Sequence, residues 1–448
     1  MGSEWVSKPL GELIVLQRGH DLPAQNRKEG SVPIMGSSGL TGYHSVAKIL
    51  GPGVVIGRSG NSMGEVSFSA KDYWPLNTCL YVTDFKGNDP LYIYYFLQTI
   101  DFDQFNSGSA QKSLNRNAVY PYEVLFTQNK FEQKLIGKVL ANLDNKIQLN
   151  RQTNQTLEQM AQALFKSWFV DFDPVIDNAL AAGNPIPPAL ATRAESRKSL
   201  HGSADNTPQL PEHIRALFPE RFTHHPDRGW IPEGWEVNPI GKVIDNVGGG
   251  TPKTKEGTFW IGGTHPFCTP KDMSSLTSKT LLETERHLTE AGVAKISSGQ
   301  LPQGTVLMSS RAPIGYLAIT DVPVSVNQGI IAMKPNELFS SEYILSWAEA
   351  SMEEVVSRAN GSTFLEISKK NFREIPFLIP SADVLKQFDA IAKPYFQRIT
   401  SIQKDVDQLT KLRDTLLPKL ISGELRLPNT HQPEPDTKKK DSHETHGY

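Results

Sequence analysis

Two stretches of the chain carry apolar residues at seven-residue spacing. In the first, Ile136, Leu143, Asn150, Leu157 and Leu164 form one row, and Leu140, Ile147, Asn154, Ala161 and Trp168 form another. In the second, the rows are Leu385, Ala392, Ile399, Val406 and Arg413, and Phe388, Tyr395, Ile402, Leu409 and Leu416. Paired rows of this kind predict long helices with a/d seams. A helix lying on its own domain accounts for one seam; two matched seams favour helices that pack on each other. About 35 helical residues rise roughly 50 Å, so antiparallel pairing would place two globular units at opposite ends of a rod. Asn150 and Asn154 sit in core rows, where polar residues tend to fix register at a cost in stability. Pro394 is expected to kink or restart the second helix, and Pro418, followed by Gly423, to end it.

The chain also repeats itself. Trp5, Pro9 and Gly11 recur as Trp235, Pro239 and Gly241, 230 residues later. A strand–turn–strand pattern from Gly53 through Arg58 to Gly64 matches Gly304 through Arg311 to Gly315. Asn77 matches Asn327, and Gly108-Ser109 matches Gly361-Ser362. The offset drifts to about 250, so the second copy holds some twenty extra residues, expected between Thr251 and Ser298. Each copy ends in one of the long helices. The stretch from Pro174 to Trp230 is rich in Pro and Ala and reads as a linker with some short helix. The expected organisation is a first globular unit at 1–128, a helix at 129–173, a linker at 174–229, a second unit at 230–380, a helix at 381–424 and a disordered tail at 425–448.

Composition narrows the function. A length of 448 residues alone suggests about three domains; the repeat replaces this with two units and a shared pair of helices. The net charge of −2 argues against a wholesale polyanion binder but allows local basic clefts. No apolar run approaches the ~18–20 residues of a membrane span, and no leader pattern opens the chain. Cys79 and Cys268 cannot build a disulfide framework and read as small buried hydrophobes. A cytoplasmic, reducing setting is expected. Phosphate-loop, dinucleotide-binding, zinc-protease, nucleophile-elbow and amino-methyltransferase signatures are missing, and Pro226-Asp227 lacks the spacing of a nuclease carboxylate cluster. The run Gly248-Gly-Gly250 reads first as a tight turn and second as an anion cradle.

What remains is contact chemistry. Arg58 with Ser59 and Asn61, and Arg311 after Ser310, lie in loops between paired strands. Such arginines suit phosphate contacts or bidentate reading of guanine; a solvated turn is the alternative for each. Ser38 lies in a Gly-bounded turn that is either plain or a close backbone approach to a ligand. Lys112 and Arg116 follow Gly108-Ser109, Lys369 and Lys370 follow Gly361-Ser362, and Lys253 and Lys271 lie in the extra segment. These complete the candidate DNA contacts, each with a solvated face as its alternative. No catalytic or metal-ligating residue is assigned.

Several motifs then coincide. Trp-x-x-x-Pro-[Leu/Ile]-Gly opens each repeat, and a Gly-Ser pair precedes each helix. Phe131-Glu-Gln133 and Leu385-Lys-Gln-Phe388 open the helices. Ala163-Leu-Phe-Lys-Ser-Trp-Phe-Val-Asp171 and Leu416-Leu-Pro-Lys-Leu-Ile-Ser-Gly-Glu-Leu425 close them, and Phe267-Cys-Thr-Pro-Lys-Asp272 lies within the second unit. From Trp5 to about Leu425, the chain resembles the specificity (S) subunit of Type I restriction–modification enzymes. The resemblance implies an α+β fold in which two strand-rich target recognition domains of mixed α/β structure are separated by a two-helix antiparallel coiled coil, with pseudo-twofold repetition. Each domain would read one half of an asymmetric, split target in double-stranded DNA. The helices would set the spacing and dock two modification (M) subunits, with Ile136, Leu143, Asn150, Leu157, Leu164, Phe388, Tyr395, Ile402, Leu409 and Leu416 as the coiled-coil residues. The chain itself would hold no cofactor and catalyse nothing. S-adenosylmethionine would bind the M subunits, and ATP and Mg the restriction (R) subunits. A fused methyltransferase or nuclease and a coiled-coil scaffold with two ligand-binding domains unrelated to DNA are the competing readings.

Overall fold

The computed structural model describes residues 5–108, 111–202, 210–361 and 365–427. The chain forms two compact units, one made of residues up to 146 together with those from 408 on, the other of residues 147–407. The division falls inside both long helices, and each unit owns a stretch of each.

The two units share one topology. In the first, strand Trp5–Pro9 pairs antiparallel with Glu123–Thr127; in the second, Glu236–Pro239 pairs with Pro376–Ile379. The main sheet of the first unit orders its strands as Val15–Arg18, Cys79–Asp84, Gly53–Gly57 and Val66–Ser69. The second unit follows with Asn246–Gly248, Ile330–Met333, Val306–Ser310 and Ile314–Thr320, and adds Thr280–Leu281 at the edge. Val54 and Ile56, and Val306 and Met308, point into the respective cores, while Val55 and Leu307 between them are buried in separate clusters, so side chains alternate between two covered faces.

A smaller sheet also recurs. Val32–Gly36 pairs antiparallel with Gly39–His44 and parallel with Trp74–Pro75. His265–Cys268 pairs in the same senses with Arg286–Leu288 and Ser325–Val326. The tight turn at Ser37-Ser38 is replaced in the second unit by helix Pro270–Ser274 and strand Thr280–Leu281. Most of the extra length therefore lies between Cys268 and Arg286. Thr269 starts that helix through a capping box, its hydroxyl and N–H both bonded to the Asp272 carboxylate.

The long helices span Lys130–Phe169 and Ala382–Ser422. Within the second unit, Asn154 Nδ2 donates to the Ile399 carbonyl at 3.3 Å, and eleven residues further on the Phe165 ring meets Phe388 at 5.9 Å. Partner numbers fall as residue numbers rise, so the helices run antiparallel there. Within the first unit, Ile136 and Leu140 share a core with Leu420 and Ile421, and Arg413 Nη1 donates to Asp144 at 2.8 Å. Leu140, Ile147, Asn154, Ala161 and Trp168 are all buried, while Leu143, Leu157 and Leu164 are half-buried. In the second helix Phe388 and Ile402 are buried, and Tyr395, Leu409 and Leu416 half-buried.

Two expectations about this helix are corrected. It runs unbroken through Pro394 and Pro418 and ends at Ser422, where Gly423 has φ +75°. Both prolines lie on the exposed face, so water can take the carbonyl four residues back that each leaves unbonded. Glycine stops the helix because its left-handed conformation costs little there.

The expected linker with some short helix carries more structure than a linker needs: between 173 and 229 the described residues form helices and a hairpin over a small buried core. Helices Asp173–Ala182 and Ala191–Gly202 lie side by side, and strands Phe222–His225 and Gly229–Pro232 form a hairpin. Val175, Ile176, Ala179, Ile214 and Phe218 are buried. Arg193 holds Asp173 in a two-pronged pair, and Arg197 likewise engages Asp177. Low overall hydropathy hid a small set of well-spaced core residues. Of the expected tail, the part from 428 on lies outside the described residues.

Candidate nucleic-acid interface

In the first unit, strand Val15–Arg18 ends at Gly19, and the chain turns beneath the loop that follows strand Gly53–Gly57. A Cβ on Gly19 would lie 2.1 Å from the Leu76 carbonyl oxygen. Only glycine allows this approach, which brings Arg18 and His20 beside Arg58. The Arg58 N–H donates to the Thr78 carbonyl, its own carbonyl accepts from Leu114, and Gly60 N–H donates to the Lys112 carbonyl. The loops at 58–60 and 112–116 are thus stitched into one wall.

The result is an open cleft of about 690 Å³ lined by Arg18, His20, Arg58, Asn77, Asn115 and Arg116, among others. Arg116 Nη1 donates to the Leu16 carbonyl at 2.9 Å. Among the described residues the Arg58 guanidinium makes no ion pair or side-chain hydrogen bond, although it is half-buried. Partial burial, then the Lys48 charge, holds the His20 imidazole below its ordinary range despite Asp21 nearby. The cleft is therefore cationic through its arginines, with amide groups between them. Such a surface can neutralise phosphates and offer paired N–H donors to base edges.

The predicted contacts divide. Arg58 and Arg116 line the cleft, and Ser59 bridges to Ser113 at its wall. Asn61 is exposed in the adjoining turn. Lys112 is engaged by Asp103 at 2.7 Å. Ser38 lines a different groove, with Leu40 and Tyr43. Arg18 and His20 were missed; the recurrence of Gly19 as Gly249, 230 residues later, was the available signal.

In the second unit the hydrogen-bond ladder revises the matching of the loops. Ser310 N–H donates to Gly329 and its carbonyl accepts from Ile367, the pattern that Arg58 makes with Thr78 and Leu114. The counterpart of Arg58 is therefore Ser310, which is buried. Arg311 corresponds to Ser59: it bridges to Glu366 as Ser59 bridges to Ser113, and it pairs with the Glu366 carboxylate at 3.6 Å. The two loop arginines do not occupy one place. The flanking glycines Gly53 and Gly304 are 251 residues apart and the two arginines 253, whereas the ladder sets 252, so neither anchor gives the register.

A different cation does recur. The carbon framework of Tyr120 packs on Gly11 as that of Arg373 packs on Gly241. That registers Lys369 with Arg116, and Lys369 Nζ lies over Gly248, the counterpart of Arg18. Arg373 donates to the Asn246 side chain and carbonyl at 2.8 Å each, doing for that strand what Tyr120 and Arg116 do for Leu16. Lys370 and Lys253 are exposed. Lys271 is also exposed and pairs with Glu285 at 2.6 Å. Gly249 packs against the Val326 carbonyl, so the glycine run serves a close strand contact. Gly108 is placed, but Ser109 and Ser362 lie outside the described residues.

Among the described residues there is no cluster of three metal-ligating side chains, and no helix is long and apolar enough to cross a membrane. Burial pushes the Cys79 thiol up to about 12 and raises that of Cys268.

The sequence profile of the family described as "Type I restriction modification DNA specificity domain" matches residues 2–159 and 232–420. The chain belongs to the family of Type I restriction–modification specificity subunits. The duplicated match corresponds to the two repeats seen in the fold. A specificity subunit of the restriction enzyme HindI from Haemophilus influenzae is 29% identical over 318 residues, covering 66% of this chain and 68% of that one. The MjaIX specificity subunit of Methanocaldococcus jannaschii is 33% identical over 188 residues, 42% of this chain and 43% of its own. The crystal structure of an S subunit from M. genitalium aligns with 93% of this chain and 96% of its own at a TM-score of 0.57 and 16% identity. That likeness establishes a shared S-subunit fold.

Proposed function

We propose that this S subunit supplies the DNA sequence specificity of a Type I restriction–modification complex and that each strand-rich unit reads one half of a split target. The observation that carries the proposal is the duplicated fold with unlike side chains at equivalent positions. Where the first unit has Arg18, Arg58 and Arg116, the second has Gly248, Ser310 and Lys369. One scaffold used twice with different donors suits an asymmetric bipartite site, because base identity is read by side-chain donors and acceptors. Two tethered readers also multiply discrimination that neither achieves alone.

In this reading the long helices hold the two readers at a spacing that matches the helical repeat of DNA. The seam residues Ile136, Asn150, Phe388 and Ile402 are consumed by packing within the chain. Docking of two M subunits therefore falls to outer faces, where Phe131, Leu149, Met160 and Leu412 are exposed. S-adenosylmethionine belongs to those M subunits, ATP and Mg to the R subunits, and the chain has no chemical step of its own. The names of the relatives, all specificity subunits of restriction enzymes, support this division. Adding four residues between Gln148 and Thr156 tests it. The gap in the methylated motif changes while both half-sites persist; an unchanged gap contradicts the spacing role.

A further inference from the structure

The second unit carries one apolar side chain that its packing does not explain. Ile261 is 82% exposed, the largest exposure of any large hydrophobic residue among those described. It sits at the tip of a braced projection. Its N–H donates to the Gly257 carbonyl at 2.8 Å, and Gly262 beyond it turns with φ +74°. The Trp260 ring beneath packs edge-on against buried Phe267, carries the Arg286 guanidinium 3.5 Å from its centroid, and donates Nε1–H to the Lys253 carbonyl at 3.1 Å. Thr289 ties the base with two bonds, N–H to the Phe259 carbonyl and hydroxyl to the Thr258 carbonyl.

The surroundings are basic. Lys253, Lys255, Arg286 and Lys295 are exposed, and among the described residues none of them forms an ion pair. Glu256 on the projection, whose carboxylate accepts the Thr258 hydroxyl, and exposed Glu290, at the start of the helical turn packed against it, are the acidic neighbours, fewer than the four cations. The corresponding stretch of the first unit, from His20 to Ser31, exposes no large apolar side chain. A rigidly held isoleucine on a segment with exposed cations free of ion pairs, two of them lying over its aromatic rings, has the chemistry of a wedge that enters a polyanion. Proteins that kink DNA place apolar side chains between base steps from the minor groove while nearby cations hold the phosphates.

We infer that Ile261 inserts from the minor groove between two base pairs in or beside the half-site read by the second unit and unstacks that step. The inference rests on the DNA-reading function proposed above. It adds shape readout, since pyrimidine–purine steps unstack most easily. A protein contact through the same tip is the competing outcome.

The test uses the full chain assembled with its M subunits and duplexes containing its methylated motif, with 2-aminopurine placed at successive positions across the second half-site and its flanks. Fluorescence rises at one step for the unaltered chain and for Ile261→Leu, and the rise is lost for Ile261→Ala and Ile261→Ser. The exposed position makes misfolding of these variants no obstacle, and band shifts confirm that each is bound. Binding without a rise at any position, or a rise that survives in Ile261→Ala, overturns the wedge while leaving DNA reading intact. Failure of Ile261→Ala to assemble with M subunits in the absence of DNA assigns the tip to a protein contact and also overturns it. No preference of the unaltered complex for its motif over a scrambled duplex removes the DNA-reading function and the wedge with it.

Discussion

Arg116 donates from Nη1 to the carbonyl of Leu16 at 2.9 Å, anchoring the helical turn Arg116–Val119 to the strand that ends at Arg18. Its charge thus lines the cleft while one N–H is spent on the fold. Arg58, on the facing loop, has no such obligation among the described residues. The two arginines should separate in mutation. Arg58→Ala leaves the thermal midpoint unchanged and weakens binding to the first half-site about tenfold or more, the range of one bidentate base contact. Arg116→Ala also loses about 0.5–1.5 kcal/mol of stability with its hydrogen bond. Calorimetry and binding curves on half-site variants check both; equal stability losses would contradict the assignment.

This contrast shows where the sequence was readable. Trp5, Pro9 and Gly11 mark the first paired strand and its turn, and their recurrence at Trp235, Pro239 and Gly241 held because glycine is needed where Tyr120 or Arg373 packs against it. The seven-residue rows found both helices because burial enforces that period over many turns. Loop positions had no such constraint. The register of Arg58 with Ser310 is set by backbone ladders, which a glycine-to-glycine match does not see. Short helix was legible between Asp173 and Gly202, but not its packing, because the core positions are few and the surfaces are rich in Ala, Pro and charge.

Asn150 and Asn154 occupy the buried seam of the first long helix, and Asn150 Nδ2 has no hydrogen-bond partner among the described residues. An unpaired buried amide costs about 1–3 kcal/mol. Asn150→Leu should therefore raise the thermal midpoint of the chain, by an amount consistent with about 1 kcal/mol or more. Thermal unfolding followed by circular dichroism measures it. A lowered midpoint would mean that the amide is satisfied and that leucine overpacks the seam.

Asp144 receives Arg413 at 2.8 Å and the Tyr95 hydroxyl at 2.6 Å. Removing the carboxylate leaves the Tyr95 hydroxyl without its acceptor and Arg413 with Asp414 alone. Asp144→Ala is expected to cost about 1.5–3 kcal/mol, the range for hydrogen bonds to charged groups. Chemical denaturation reads the loss, and a double variant with Arg413→Ala should lose less than the sum of the singles.

Asp173 supplies a pH dependence. Burial alone would raise its pKa, but hydrogen bonds from Arg193 and Ser167 and the charges of Arg193 and Arg197 outweigh it, and the carboxyl is held below its ordinary range. The unfolded chain therefore takes up this proton first as pH falls. The stabilisation is full above the unfolded value of about 3.9 and is lost as pH drops through the folded value. Asp173→Asn should flatten that acid limb and lower stability at neutral pH. Denaturation midpoints from pH 7 down to about 3 test it; an unchanged acid limb in the variant would contradict the assignment.

The central claim is that two unlike readers on one duplicated fold define a split DNA target. Sequencing of N6-methyladenine in cells that carry this chain with its partner subunits tests it most directly, comparing the unaltered chain with Arg58→Ala. The expected result is a motif of two specified halves around an unspecified gap, with Arg58→Ala degrading one half and sparing the other. A continuous motif, or methylation that is the same without this chain, would contradict it.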